Sequence, residues 1–277
     1  MVTAFHPHSP DRVRAPVGKE WLDPVRPGVA GRPNPAPRRS EARAPQGRTT
    51  PTKEDRVLPR TPEESRTLFD RWAHTYDLDL SGSDGPGAGP LAGYRTSLQA
   101  AAQRVPVISG TAVLDVGIGT GALAALLAER GAVVSGVDPS AEMLAVCRQR
   151  HPAFTVKVGD FNSIPFAADS FDAVVSSFAF HEVPPAHRPS ACAELARVLT
   201  PGGALCLLDI MFASPASRAE AREAIGEYWD DEEDYPLVGD LDTMLHAAGL
   251  GATSWWQTAP FHWMVLAQKP GGAWERA

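Results

Sequence analysis

Cysteine is scarce: there are three in 277 residues, Cys147, Cys192 and Cys206, with no CxxC pair and an odd total. A disulfide-stapled scaffold and a cysteine-based zinc site are therefore not expected, and the usage fits a reducing cytoplasm. Long apolar runs are also lacking. The longest aliphatic stretch, Ala122–Ala128, falls far short of the ~20 residues that cross a bilayer, so no membrane partner is expected. No apolar segment follows Met1, and no secretory leader is expected. Nor is there an excess of positive charge. The 26 Lys and Arg stand against 33 Asp and Glu, a net of −7, which gives no overall electrostatic case for nucleic acid. Apolar residues make up 43% of the chain, enough at this length for one large domain or two small ones.

Charge and proline are unevenly spread. Residues 1–60 carry 12 Lys or Arg against 6 Asp or Glu and hold 11 of the 26 prolines. The remaining residues carry 14 bases against 27 acids. Proline blocks helix interiors, and no hydrophobic period runs through Gly28–Arg60, so residues 1–60 read as a disordered basic tail. Such a tail is either an arm for RNA, a membrane or the acidic body of the chain, or a dispensable extension; only Phe5 and Trp21 could stack. Thr61-Pro62-Glu63-Glu64 then reads as a helix start, a hydroxyl cap followed by proline and acids. Leu68, Phe69, Trp72 and Tyr76 follow at helical spacing. Ser81–Pro90, with four glycines and two prolines, reads as a flexible loop, and Leu91–Val105 as a second helix. Residues 61–110 thus form a helical cap.

From Thr111 the pattern alternates. Strands are expected at Thr111–Val116, Val133–Val137, Phe154–Val158, Phe171–Ser177 and Ala204–Ile210. Helices are expected at Gly119–Arg130, Ala141–Arg150 and Arg188–Leu199. Such alternation predicts a parallel sheet covered on both faces. Two final strands, Ala252–Gln257 and Phe261–Ala267, flank Thr258-Ala259-Pro260, too short a gap for a parallel crossover. The fold class is therefore α/β, a Rossmann-like doubly wound sheet over residues 111–270, mostly parallel with an antiparallel C-terminal edge hairpin.

Chemistry gathers at the strand ends. Val113-Leu114-Asp115-Val116-Gly117-Ile118-Gly119-Thr120-Gly121 ends a strand and opens a helix. Its glycines let the backbone turn and approach a ligand, and the helix start offers unpaired N–H groups. Asp115 before the first glycine suits a ligand bearing an ammonium group. Asp138 ends the second strand, where a carboxylate accepts bonds from ribose hydroxyls; the alternative is a plain cap for the helix after Pro139 and Ser140. Asp160 and Phe161 follow the third strand, either as an adenine edge and stacking pair or as a turn beside Gly159.

These segments together resemble a class I S-adenosylmethionine-dependent methyltransferase of the methyltransferase-11/25 type. They are VLDVGIGTG at 113–121, VDPSAEML at 137–144, GDFNSIPF at 159–166, FDAVVSSFAFHEV at 171–183 and LTPGG at 199–203. The opening LFDRWAHTYD at 68–77 is similar to the N-terminal helix of small-molecule members, and the wording is close to bacterial methyltransferases of the YrrT kind. The resemblance implies an S-adenosyl-L-methionine cofactor. Gly117, Gly119 and Gly121 would line its methionine part, and Asp115 would steady its amino group. Asp138 would bind the ribose and Met143 would pack on the adenine held by Asp160 and Phe161. Ser177 and Phe178 would sit beside the sulfonium, and Tyr76 would close over the cofactor, unless with Trp72 it is an ordinary packed helix face.

The acceptor is expected to be a small molecule. A base matters when the acceptor is a hydroxyl or an acidic carbon. His181 is the candidate base and Glu182 a second catalytic polar group, with a structural histidine as the alternative. No metal is expected, since Pro184-Pro185 separates His181 from His187. DNA-amine members carry Asn or Asp before Pro-Pro after strand four, a pattern absent from Ser176–Phe180. Met211–Val238, with Tyr228, Trp229, Tyr235 and the acids of 230–234, reads as a lid insertion or as a solvated helix end. Trp255, Trp256 and Trp263 read as packing. Two other functions share the fold pattern. One is a binding or regulatory protein without catalysis, against which the acids at 115, 138 and 160 weigh. The other is a nicotinamide-dependent oxidoreductase, which would want GxGxxG where Ala122 and Leu123 stand. Methylation of a protein or RNA has only the basic tail in its favour.

Overall fold

Parallel strands connected by helices account for the centre of the molecule. A computed structural model describes residues 59–80 and 89–271. The chain divides into Met1–Thr50 and Pro51–Ala277, and every described residue lies in the second unit. The expected tail, up to residue 58, and most of the Ser81–Pro90 loop lie outside the described residues.

Seven strands form one sheet: β1 Ala112–Val116, β2 Val133–Asp138, β3 Thr155–Val158, β4 Phe171–Ser177, β5 Leu199–Ile210, β6 Gly251–Ala259 and β7 His262–Gln268. Their spatial order is β3-β2-β1-β4-β5-β7-β6. The first five are mutually parallel, and β7 runs antiparallel to both β5 and β6. The hairpin therefore folds back so that β7 docks on β5 and β6 becomes the edge. β5 is longer than its apolar run suggests: Leu199 already pairs with Phe171 before a bulge, ahead of the main register at Ala204.

The helices are α1 Pro62–Trp72, α2 Tyr76–Leu80, α3 Tyr94–Arg104, α4 Ala122–Ala128, α5 Ala141–Arg150, α6 Arg188–Val198, α7 Pro215–Ile225 and α8 Val238–Ala247. Adjacent residues of one strand point to opposite faces. Leu114, Val174, Leu205 and Leu207 accordingly join one apolar cluster, with Leu195 of α6 and Leu241 and Leu245 of α8. Val113, Val175, Cys206 and Leu208 join the other, with Leu98 of α3 and Leu123 and Leu127 of α4. The sheet is thus buried on both sides, as its unbroken apolar runs require.

Two local readings change. The spacing of Leu68, Phe69, Trp72 and Tyr76 suggests one helix, but α1 ends at Trp72 and α2 begins at Tyr76. In the break, Asp79 accepts from the Thr75 hydroxyl at 2.9 Å and from Trp72 Nε1 at 2.6 Å, local bonds that compete with a continuing helix. α4 starts at Ala122 rather than Gly119, because Gly121 stands at its N-cap with φ +94°.

Candidate active site

The strand order reverses between β1 and β4, and ligands of open α/β sheets bind outside the carboxyl ends of strands at such a switch. A cleft of about 420 Å³ opens there, lined by Gly117 and Gly119 after β1, Asp138 at the end of β2, Asp160 and Phe161 after β3, and Ala179 and Glu182 after β4. Met143 of α5 forms part of the wall, and Ser65, Phe69 and Tyr76 of α1 and α2 cover it.

Glycine is required at the first turn. Gly117 has φ +74°, and a Cβ there would stand 2.4 Å from the Ala179 Cβ, so the β1 and β4 loops could not approach each other. At Gly119, φ is +51° and an added Cβ would meet nothing within 4 Å; this backbone faces open cleft.

Asp138 is 7% exposed. Its Oδ2 accepts from the Gly119 N–H at 2.8 Å and its Oδ1 from the Ser140 N–H at 2.9 Å. Burial pushes its pKa up most, those two N–H groups pull it down, and Asp70 raises it again, leaving it at about 6. Ser140 caps α5 by accepting from the Met143 N–H at 3.0 Å, and donates its hydroxyl proton to Asp70 of α1 at 2.6 Å. One serine therefore ties the cover helix to the floor of the cleft.

Asp115 sits behind the cleft. It is 1% exposed, and its Oδ1 has no hydrogen-bond partner among the described residues. Burial first, then the charge of Asp138, hold its pKa well above the usual carboxylate range. Tyr76 and Tyr94 influence each other's hydroxyl, and burial raises the pKa of both phenols, Tyr94 to about 12.

Of the residues expected from the sequence, Tyr76, Gly117, Gly119, Asp138, Met143, Asp160, Phe161 and Glu182 line one cleft. Gly121, Ser177, Phe178 and His181 do not line it. A Cβ on Gly121 would meet His151 of the α5 end at 2.8 Å, so its role in the fold is close packing. Phe178, at φ +51°, packs against Tyr94 at 4.9 Å and His262 at 4.7 Å between ring centroids. Ser177 closes β4, half-buried.

His181 lies behind Glu182. Its Nδ1 is 2.6 Å from Asp209 Oδ1, and its backbone N–H donates to Asp209 Oδ2 at 2.9 Å. Burial pulls the imidazole pKa down, but Asp209, Glu233 and Glu182 outweigh it and lift it to about 10. Asp209, fully buried at the end of β5, is absent from the sequence reading. An acid inside the apolar run Leu207-Leu208-Asp209-Ile210 is the signal that could have revealed it.

The acids of 230–234 belong to no helix; they follow a short turn, Gly226–Tyr228. They face the chain's own arginines. Arg60 pairs with Asp230, Glu232 and Glu233, Arg222 with Asp231 and Arg188 with Asp234. Trp229 and Tyr235 pack edge-on at 4.9 Å. On the terminal hairpin, Trp255 donates to Asp242 at 2.9 Å and Trp256 lies under the Arg104 guanidinium.

Comparison with known proteins agrees with this fold. The family model described as a methyltransferase domain matches residues 113–203. An uncharacterized methyltransferase of Staphylococcus carnosus is 33% identical over 183 residues, which span 65% of this chain and 82% of that protein. Another, from Geobacillus kaustophilus, is 31% identical over 209 residues, 73% of this chain and 95% of its own length. Among solved structures, an S-adenosylmethionine-dependent methyltransferase of Thermotoga maritima shares the fold at TM-score 0.57 and 18% identity, covering 73% of this chain and 99% of that one. The chain belongs to the methyltransferase family, in the S-adenosylmethionine-dependent class with a Rossmann-like seven-stranded sheet.

Proposed function

We propose that the cleft binds S-adenosyl-L-methionine and that the enzyme passes its methyl group to a small-molecule acceptor. The observation that carries this reading is Asp138: a nearly buried carboxylate that opens onto the cleft beside the bare backbone of Gly119. Each of its oxygens accepts one backbone bond, and each keeps a lone pair for a ribose hydroxyl. Met143 and Phe161 offer apolar surface to a purine, and among the described residues Asp160 accepts only from the Asn162 N–H on one oxygen, leaving the other for an exocyclic amine. The backbone of Gly117 and Gly119 would line the amino-acid end, with Asp115 Oδ1 beneath, where a bound ammonium would favour the charged carboxylate that burial alone disfavours. A volume of about 420 Å³ suits one small ligand.

When bound, the cofactor supplies an electrophilic methyl group on a sulfonium. The chain's own part is then to hold two reactants in line and exclude water, which accounts for much of the acceleration in such displacements. Phe69 and Tyr76 cover the cleft. On the acceptor side, Glu182 and His187 reach the cleft. His181, with Nδ1 engaged by Asp209 and its side chain 7% exposed, acts through Glu182 and is a positioning residue. Of the expected cap over residues 61–110, α1 and α2 serve as the cover of this site, whereas α3 packs against the sheet with α4; the acids of 230–234 brace the start of α1 through Arg60.

Calorimetry with S-adenosylhomocysteine tests the cofactor site; the expected result is saturable binding and a raised melting temperature. A shift with NAD and none with S-adenosylhomocysteine would sink the reading. Incubating a cell extract with labelled S-adenosylmethionine, followed by mass spectrometry, tests the acceptor class: label is expected in a small metabolite, and label confined to protein or RNA would contradict it.

A further inference from the structure

Three side chains, His181, Glu182 and Glu233, each have one polar atom engaged and one turned toward the same point. His181 has Nδ1 fixed by Asp209 at 2.6 Å, which aims Nε2 at two carboxylates. Glu182 accepts from the Ser65 hydroxyl on Oε2 at 2.7 Å, while its buried Oε1 has no hydrogen-bond partner among the described residues. Glu233 meets Arg60 Nη1 with Oε1 at 3.4 Å and turns Oε2 toward His181. From His181 Nε2 the distances are 3.6 Å to Glu182 Oε1 and 3.9 Å to Glu233 Oε2. These are too long for hydrogen bonds. A zinc ion with ligand bonds of about 2.1 Å sets tetrahedral ligands about 3.4 Å apart; the two distances from His181 are near that, and all three ligand atoms lie within 4.8 Å of one another. We propose that His181, Glu182 and Glu233 form a binding site for a divalent transition-metal ion of the zinc class.

Two further observations point the same way. Tyr235 is 1% exposed, and its hydroxyl lies beside the Glu233 carboxylate with no partner at hydrogen-bond geometry among the described residues. A buried phenol there is a fourth donor atom at the cluster. The charges are also unbalanced. Asp209, Glu182, Glu233, Asp230 and Glu232 gather around Arg60 and His181, a negative surplus that favours a bound cation. Arg60 Nη1 approaches Glu182 Oε1 only to 3.9 Å, outside hydrogen-bond reach. The arrangement also has the supporting layer typical of metal centres, in which a carboxylate holds the far nitrogen of the ligating histidine; here that carboxylate is Asp209. Because Glu182 also lines the cleft, a bound ion would stand at its acceptor-side wall.

The test uses the full chain, stripped with a chelator, titrated with zinc chloride against a chromophoric competitor and assayed for retained metal after dialysis. One tightly held equivalent is expected. Glu182→Gln and Glu233→Gln are each expected to weaken it 10- to 100-fold, the scale of losing one ligand or its support. Binding of S-adenosylhomocysteine by Glu233→Gln serves as the folding control and should match wild type, since Glu233 does not line the cleft. No retained zinc in the wild type, or zinc held equally well by both variants, overturns the site. Failure of wild type to bind S-adenosylhomocysteine while holding zinc would strike the cofactor reading and leave the metal site standing.

Discussion

Asp138 concentrates the energetics of the cleft in one carboxylate. It must stay buried to face a nucleoside and stay charged to accept two hydroxyls, and these demands oppose each other. Asp138→Ala is expected to weaken S-adenosylhomocysteine binding by about 100-fold or more, given about 1.5–3 kcal/mol for each hydrogen bond to a charged group. Calorimetry checks this, with circular dichroism showing a retained fold; unchanged affinity would remove Asp138 from the site. A pH effect follows in the ligand-free protein. The folded value, about 6, lies above the unfolded carboxyl value of about 4. The folded state therefore holds that proton more tightly. The group's contribution is full below about pH 4 and is lost as pH rises through 6, a change of about 3 kcal/mol. Asp138→Asn lacks this titration, so the melting temperature of wild type minus that of the variant should fall between pH 4 and 7. A flat difference would mean that the carboxylate is solvated. Asp115, raised by the same burial, responds in the same direction in both proteins.

At the scale of elements, the cover of the site depends on how α1 begins and what it rests on. Thr61 and Glu64 form a reciprocal capping box, and Pro62 fills the first turn, so the sequence itself starts this helix. What keeps it over the cleft is remote: Ser140 on Asp70, Glu182 on Ser65, and Arg60, whose backbone N–H donates to Glu232 O at 3.0 Å. Ser140→Ala removes both the α5 cap and the bond to α1. A loss of about 1–2 kcal/mol in denaturant melts is expected, together with weaker cofactor binding because Met143 loses its anchored turn. Arg60→Ala should speed hydrogen exchange of the α1 amides while leaving those of β1 and β4 protected; equal protection in both proteins would show that the acids of 230–234 do not hold the cover down.

At the scale of the whole molecule, one sheet separates two apolar layers, and β5 feeds both. Leu207 faces α6 and α8 and Leu208 faces α3 and α4, each 1% exposed or less. Leu207→Ala should cost about 2–5 kcal/mol in chemical denaturation, the usual range for a cavity in a packed core, without changing the residues that line the cleft. A loss below about 1 kcal/mol would indicate a layer loose enough to collapse around the gap. The alternation of apolar runs and helices made this layering readable in advance, since strand period and connection length are properties of the chain alone. So was the ligand end of the sheet, where Gly117, Asp138, Asp160 and Phe161 mark successive strand ends and all come to the cleft. Local chemistry dictates those features: glycine where the backbone must turn left-handed, serine and threonine where a helix must start, carboxylates where strands stop. Tertiary structure alone decided that β7 lies inside β6, that Phe178 and Gly121 turn away from the cleft, and that Asp209, Tyr235 and Glu233 meet His181 from chain positions 28 to 54 residues distant. Those contacts depend on which buried polar groups find one another once the layers close, and burial has no period that a sequence can display.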